Sequence, residues 1–80
     1  MNKLVTLPVS KDVVDISKIV VIRPIREDYK YVQPYLFTAV LATEDGEANV
    51  IFGNDTYAEA QDDYGALMQA WQDFINRDPQ

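Results

Sequence analysis

Residues 35–52 read YLFTAVLATEDGEANVIF, two β-prone runs on either side of an Asp45-Gly46 pair. That dipeptide suits the tight turn whose two central residues both take positive φ, so the stretch predicts a β-hairpin. With Asp45 and Gly46 as the loop, Glu44 faces Glu47, Leu41 faces Val50, Val40 faces Ile51 and Ala39 faces Phe52. Side chains alternate between the two faces of a strand. One face then carries Phe37, Ala39, Leu41, Ala48, Val50 and Phe52 and is wholly apolar. The other carries Leu36, Thr38, Val40, Ala42, Asn49 and Ile51, with Leu36, Val40 and Ile51 as an apolar patch on a mixed surface.

The phenylalanine-bearing face needs a cover, and residues 56–75 supply it. At about 100° per residue, Tyr57, Ala60, Tyr64, Leu67, Met68, Trp71, Phe74 and Ile75 fall within an arc of roughly 120°. Asp55, Glu59, Asp62, Asp63 and Asp73 lie on the opposite side. Thr56 and Glu59 have capping-box spacing, in which the hydroxyl and the carboxylate each reach the other residue's backbone N–H. Gly65 weakens the helix by about 1 kcal/mol relative to alanine; close approach of a neighbouring backbone is the simplest reason to find it there, and a kink the second. The helix is expected to fray around residues 76–78, before Pro79.

Working back toward the N-terminus, residues 3–9 alternate as a strand, with Pro8 suited to an edge or a strand end. Residues 10–12 supply a turn, and 13–16 fit either a further strand or a short bridge. Residues 19–25 are β-branched on both faces, which predicts a central strand buried on both sides, its pairing ended near Pro24. Residues 26–34, REDYKYVQP, have no period and form a loop. Loops carry binding residues more often than their scaffold does, so Tyr29 and Tyr31 are candidate contacts. The plainer role for these rings is to lie on the rim of the core with their hydroxyls in water.

These readings predict a single α+β domain over residues 1–80: an antiparallel meander of three to four strands with one C-terminal amphipathic helix on one face. The expected core is Val20, Ile22, Phe37, Leu41, Val50, Phe52, Tyr64, Leu67, Trp71, Phe74 and Ile75. With 48% hydrophobic and 25% charged residues the chain is composed like a folded protein rather than a disordered one. No apolar run approaches the roughly 20 residues of a membrane span, and the N-terminus lacks the apolar core of a signal peptide. Together with the absence of cysteine, this points to the cytoplasm.

The net charge of −6 is unevenly spread: six basic side chains stand against four carboxylates up to residue 31, and one against nine thereafter. A phosphate backbone would be repelled by that surface, so direct nucleic-acid binding is not expected. With neither histidine nor cysteine, the chain has no usual general base, thiolate or zinc ligand. Ser10 and Ser17 have no base in motif spacing and suit turns and caps. Gly46, Gly53 and Gly65 form no phosphate-cradling loop. Carboxylates alone remain, and those of Glu59, Asp62 and Asp63 are placed in water, where little shifts their protonation. Glu44, Asp45 and Glu47 do not match a calcium loop. No enzymatic activity, metal, cofactor or small-molecule substrate is expected.

Two kinds of function fit. The first is a module that binds another protein or a second copy of itself as a homodimer, through Leu36, Val40 and Ile51, through the sheet edge, or through Tyr29 and Tyr31. The second is an acidic mimic of a phosphate backbone, as used by small inhibitors from phages and mobile elements. There Glu44, Asp45, Glu47, Glu59, Asp62, Asp63 and Asp73 would occupy the basic groove of a nucleic-acid-handling protein.

Overall fold

The computed structural model describes residues 3–77. Its elements are β1 (Leu4–Thr6), β2 (Val13–Asp15), β3 (Ile19–Glu27), β4 (Tyr35–Thr43), β5 (Gly46–Asn54) and α1 (Tyr57–Arg77). β3, β4 and β5 pair in that order as an antiparallel meander, and β1 and β2 form a separate two-stranded ladder. The helix lies on the three-stranded sheet, which gives the expected α+β architecture. The expected fraying ahead of Pro79 reaches beyond the described residues.

The hairpin turn differs by one residue from the expected one. Thr43 pairs with Gly46, leaving Glu44 and Asp45 as the turn. Neither takes a positive φ; Gly46 does, at 140°. The positive φ thus falls on the glycine alone, where no Cβ opposes it. The ladder is displaced by two residues from the expected register: Leu41 pairs with Ala48, Ala39 with Val50, and Phe37 with Phe52. An even displacement leaves every side chain on its expected face. Phe37 therefore still meets Phe52, with ring centroids 5.1 Å apart, and Tyr64 of the helix stands edge-on to Phe37 at 5.5 Å. Phe37 and Leu67 are fully buried.

On α1 the buried residues are Ala60, Asp63 and Leu67, while Tyr64, Ala70, Trp71 and Phe74 are half-buried. Tyr57 and Ile75 are about half exposed, so Ile75 is not a core residue. Met68, on the other margin of the apolar arc, is half-buried as well, so the packed stripe keeps the arc and widens past it toward Asp63 and Ala70. The N-terminal ladder supplies the reason. It brings Leu7, Val14 and Ile16 into the core on that flank, and sets Lys3 Nζ 5.2 Å from the centre of the Phe74 ring.

β3 is an edge strand rather than the expected central one; β4 takes the centre. The pairing of β3 with β4 breaks between Ile19 and Val21 and again between Arg23 and Arg26. The first break turns Ile19 and Ile22 together onto the helix-bearing face, so Val20 is exposed and not part of the core. β1 stops before Pro8, and the chain turns where Leu7 N–H donates to Asp12 O and Lys11 N–H to Leu7 O. Residues 13–15 form the second strand. Asp15 then caps a 3-10 turn at Ile16–Lys18, accepting from the Ser17 hydroxyl at 2.6 Å and the Ser17 N–H at 3.0 Å. The hydroxyl bond above all holds the Asp15 carboxyl below its ordinary range.

Thr56 Oγ1 accepts from Glu59 N–H at 3.2 Å, the expected first half of the capping box, but the Glu59 carboxylate accepts from the Thr56 hydroxyl at 3.3 Å rather than from the expected Thr56 N–H. Gly65 is exposed, and a methyl group there would meet nothing within 4 Å, which removes close backbone approach as its explanation. Gly65→Ala is accordingly expected to stabilise the fold by about 0.5–1 kcal/mol, through helix propensity and a less flexible unfolded chain. A thermal melt checks this: a rise of several degrees is expected, and no rise would mean that the glycine has a packing role.

Candidate protein-contact surface

The face of the sheet away from α1 is built in rows across the strands. Arg23 lies beside Thr38 and Ile51, Arg26 beside Leu36 and Gly53, and Val21 beside Val40 and Asn49. No helix covers this face, yet its apolar residues do not lie equally open. Leu36 is 2% exposed and Val40 3%, whereas Ile51 is 48% exposed. The expectation that Leu36 and Val40 present an open patch is corrected accordingly, although both keep their expected face. Val40 sits mid-sheet between Val21 and Asn49. Leu36 is closed in by the 28–34 loop.

That loop is knit by its own hydrogen bonds. Asp28 N–H donates to Pro34 O at 2.8 Å, Tyr31 N–H to Asp28 O at 3.2 Å, and Lys30 N–H to Asp28 Oδ1 at 3.1 Å. The Lys30 amide, with the charges of Lys30 and Arg26, holds the Asp28 carboxyl below its ordinary range. Arg26 Nη1 lies 3.4 Å from Asp28 Oδ2, a partly exposed ion pair of small energetic consequence. Gln33 is pressed against β5. A Cβ placed on Gly53 would come within 3.2 Å of Gln33 Cβ, Gln33 O and Leu36 Cδ2. Glycine at 53 is thus what lets the loop settle over Leu36.

On top of this contact Tyr31, Val32, Gln33, Leu36, Ile51, Gly53 and Asp55 line an open cleft of about 560 Å³. Val32 is 96% exposed at its lip, and Tyr31 and Ile51 are about half exposed. Tyr29, also exposed, stands apart from the cleft. Its ring meets Tyr35 edge-on at 6.3 Å, and Tyr35 meets Tyr57 at 6.1 Å, a row that ties the loop to the first turn of α1. Of the expected contact residues, then, Tyr31, Leu36 and Ile51 are brought together, Leu36 as the floor, while Tyr29 and Val40 are not. Val32 and Gly53 are additions. The loop's lack of period hid Val32, and Gly53 shows its role only once the loop is seen to cross it.

The Tyr29 hydroxyl lies 3.3 Å from that of Tyr35. This hydrogen bond, with partial desolvation and the negative charge of Glu27, pushes the Tyr29 phenol up to about 12. Folding favours the protonated form, so this contribution is complete below about pH 10 and is lost as pH rises from there toward 12. Absorbance at 295 nm should show one of the five tyrosines ionising last, and Tyr35→Phe should return it toward 10. Five phenols titrating together in the unmodified chain would contradict the pairing.

Of the acidic residues expected to mimic a phosphate backbone, all but Asp63 keep some exposure, on two elements. Glu44, Asp45 and Glu47 remain at the hairpin tip, and Asp62 and Asp73 are exposed on α1, Asp73 accepting from Gln69 Nε2 at 3.0 Å. Glu59 is engaged by Thr56. Asp63 leaves the set altogether: it is fully buried, not solvated. Its Oδ1 accepts from Val9 N–H at 2.8 Å, and its Oδ2 from Ser10 N–H at 3.0 Å and Asn54 Nδ2 at 3.1 Å. Two successive amides and a side-chain amide thus wrap one carboxylate. Asp63 fastens the 7–12 turn, the end of β5 and the helix to one another.

Among the described residues no group of three acidic side chains is placed to hold a metal ion. No described helix is long and apolar enough to cross a membrane. Comparison with known proteins returns no matching family model, no matching curated protein and no matching solved structure. Function must be argued from the chain's own surfaces.

Proposed function

We propose that this chain is a non-enzymatic, cytoplasmic protein-contact module that works through the side of the sheet away from its helix. The observation that carries this is the cleft beside β5, where Val32, Tyr31 and Ile51 stay in water around a buried Leu36 floor. An almost fully exposed valine on a loop held by its own hydrogen bonds gains from burial only when another molecule supplies it. The polar rim of Gln33 and Asp55 resembles the border of a small interface core. A cleft of this size takes one or two apolar side chains of a partner.

The test is affinity capture with the wild type and with Val32→Lys, a substitution at an exposed position that leaves the core alone. A partner retained by the wild type and lost by the variant supports the proposal, and retention should survive 0.5 M salt because the contact is apolar. Capture indifferent to Val32 would contradict it. Capture that collapses with salt would instead favour the carboxylate-mimic function.

A further inference from the structure

The two edges of the sheet are treated differently. β3 carries the devices that keep edge strands from pairing: Pro24, which has no N–H, two breaks in register, and the exposed Arg23 and Arg26. β5 carries none of them. It pairs with β4 at all nine positions without a break, contains no proline, and has Glu47 as its single charged side chain. On its outer side no described backbone group is hydrogen-bonded to another part of the chain.

We propose that β5 pairs antiparallel with β5 of a second copy of this chain, joining two meanders into one six-stranded sheet. This deepens the contact function above by naming a partner for the same side of the molecule, and it rests on that function. The strand is complementary to itself. With the two-fold axis at Val50 the whole of Gly46–Asn54 is paired over about 30 Å, Asn49 lies opposite Ile51 of the copy, and Ala48 opposite Phe52. Glu47, the one charge, lies opposite Gly53, so no like charges meet within the ladder. A two-fold axis perpendicular to the sheet keeps both helices on one side. It sets the two clefts, each lined by Ile51 and Gly53, along the same seam. Electrostatics oppose the pairing only at its ends, where Glu44 and Asp45 of one copy approach Asp55 of the other. Association must therefore tighten as salt rises, the opposite of what a charge mimic would do.

Sedimentation equilibrium across micromolar to millimolar concentrations reads the outcome. The mass is expected to rise from the 9.1 kDa of one chain to twice that value, and at lower concentration in higher salt. Ile51→Lys and Asn49→Lys, both at exposed edge positions, are expected to weaken dimerisation at least tenfold, with far-UV dichroism unchanged and the thermal melt unchanged at concentrations where the wild type is monomeric. The chain has no cysteine, so an oxidised mixture of Asn49→Cys and Ile51→Cys should give the mixed disulfide well above either homodimer. A single-chain mass throughout, or a dimer indifferent to both lysines, would overturn the pairing. A monomer whose capture of another protein still depends on Val32 would overturn this inference and leave the contact function standing. A β5 dimer with no Val32-dependent capture would do the reverse.

Discussion

Phe37→Ala is expected to cost about 3–5 kcal/mol, the range for truncating a fully buried phenylalanine in a core that cannot collapse around the gap. The ring is fully buried, stacks on Phe52 and meets Tyr64 of the helix edge-on, so three elements lose their common contact at once. A domain of this length has only about 4–12 kcal/mol of total stability to lose. Urea unfolding followed by dichroism should therefore show a largely unfolded population or a midpoint near zero denaturant. A cooperative transition within 1 kcal/mol of the wild type would mean that the helix does not rest on this ring. The exposed Ile51, on the same sheet but the other face, serves as the control, and its replacement by alanine should shift the midpoint little.

The second large effect is Asp63→Ala, also expected at about 3–5 kcal/mol. The loss comes from stranding partners rather than from lost area: Val9 N–H, Ser10 N–H and Asn54 Nδ2 would keep their donors without an acceptor. Asn54 is already constrained, since it is buried and its Oδ1 has no hydrogen-bond partner. Asp63→Asn separates shape from bonding. It fills the same space but sets an NH₂ group against a donor, and should cost about 1–3 kcal/mol. Asp62→Ala, one residue earlier and exposed, should lie within about 0.5 kcal/mol of the wild type. Denaturant titration of the three variants checks the order. Equal effects at Asp62 and Asp63 would return Asp63 to the surface and detach the 7–12 turn from the helix.

Asp63 also marks where the sequence stops being legible. Periodicity placed the helix, its cap and its aromatic stripe, because a two-sided helix has one dominant moment. It could not show that a second layer, the β1–β2 ladder, would share the helix and widen the buried stripe toward a carboxylate. At 100° per residue Asp63 falls about 20° outside the edge of the apolar arc rather than opposite it, and a charged residue there looks the same whether it faces water or three amide donors. The hairpin was readable through its alternation, and a turn misplaced by one residue left Phe37 and Phe52 together because the displacement in register was even. β3 was misread for the converse reason: one bulge after Ile19 reverses parity, and nothing in a run of isoleucine and valine announces a bulge. The exposed side of the sheet was the least legible. Whether Leu36 is open depends on where Gln33 comes to rest, a contact between loop and strand that neither stretch encodes alone.

The contact function depends on α1 lying over Phe37 and Phe52 while Ile51 and Val32, beside the buried Leu36, stay uncovered by the described residues. Nuclear Overhauser spectroscopy of the protein at low concentration measures this directly. Cross-peaks are expected from the Phe37 ring to Leu67 methyls and the Tyr64 ring, together with none from Ile51 methyls to any residue of 57–77. Cross-peaks between Ile51 and the helix, with the Phe37 contacts missing, would place the helix on the wrong face and remove the contact surface.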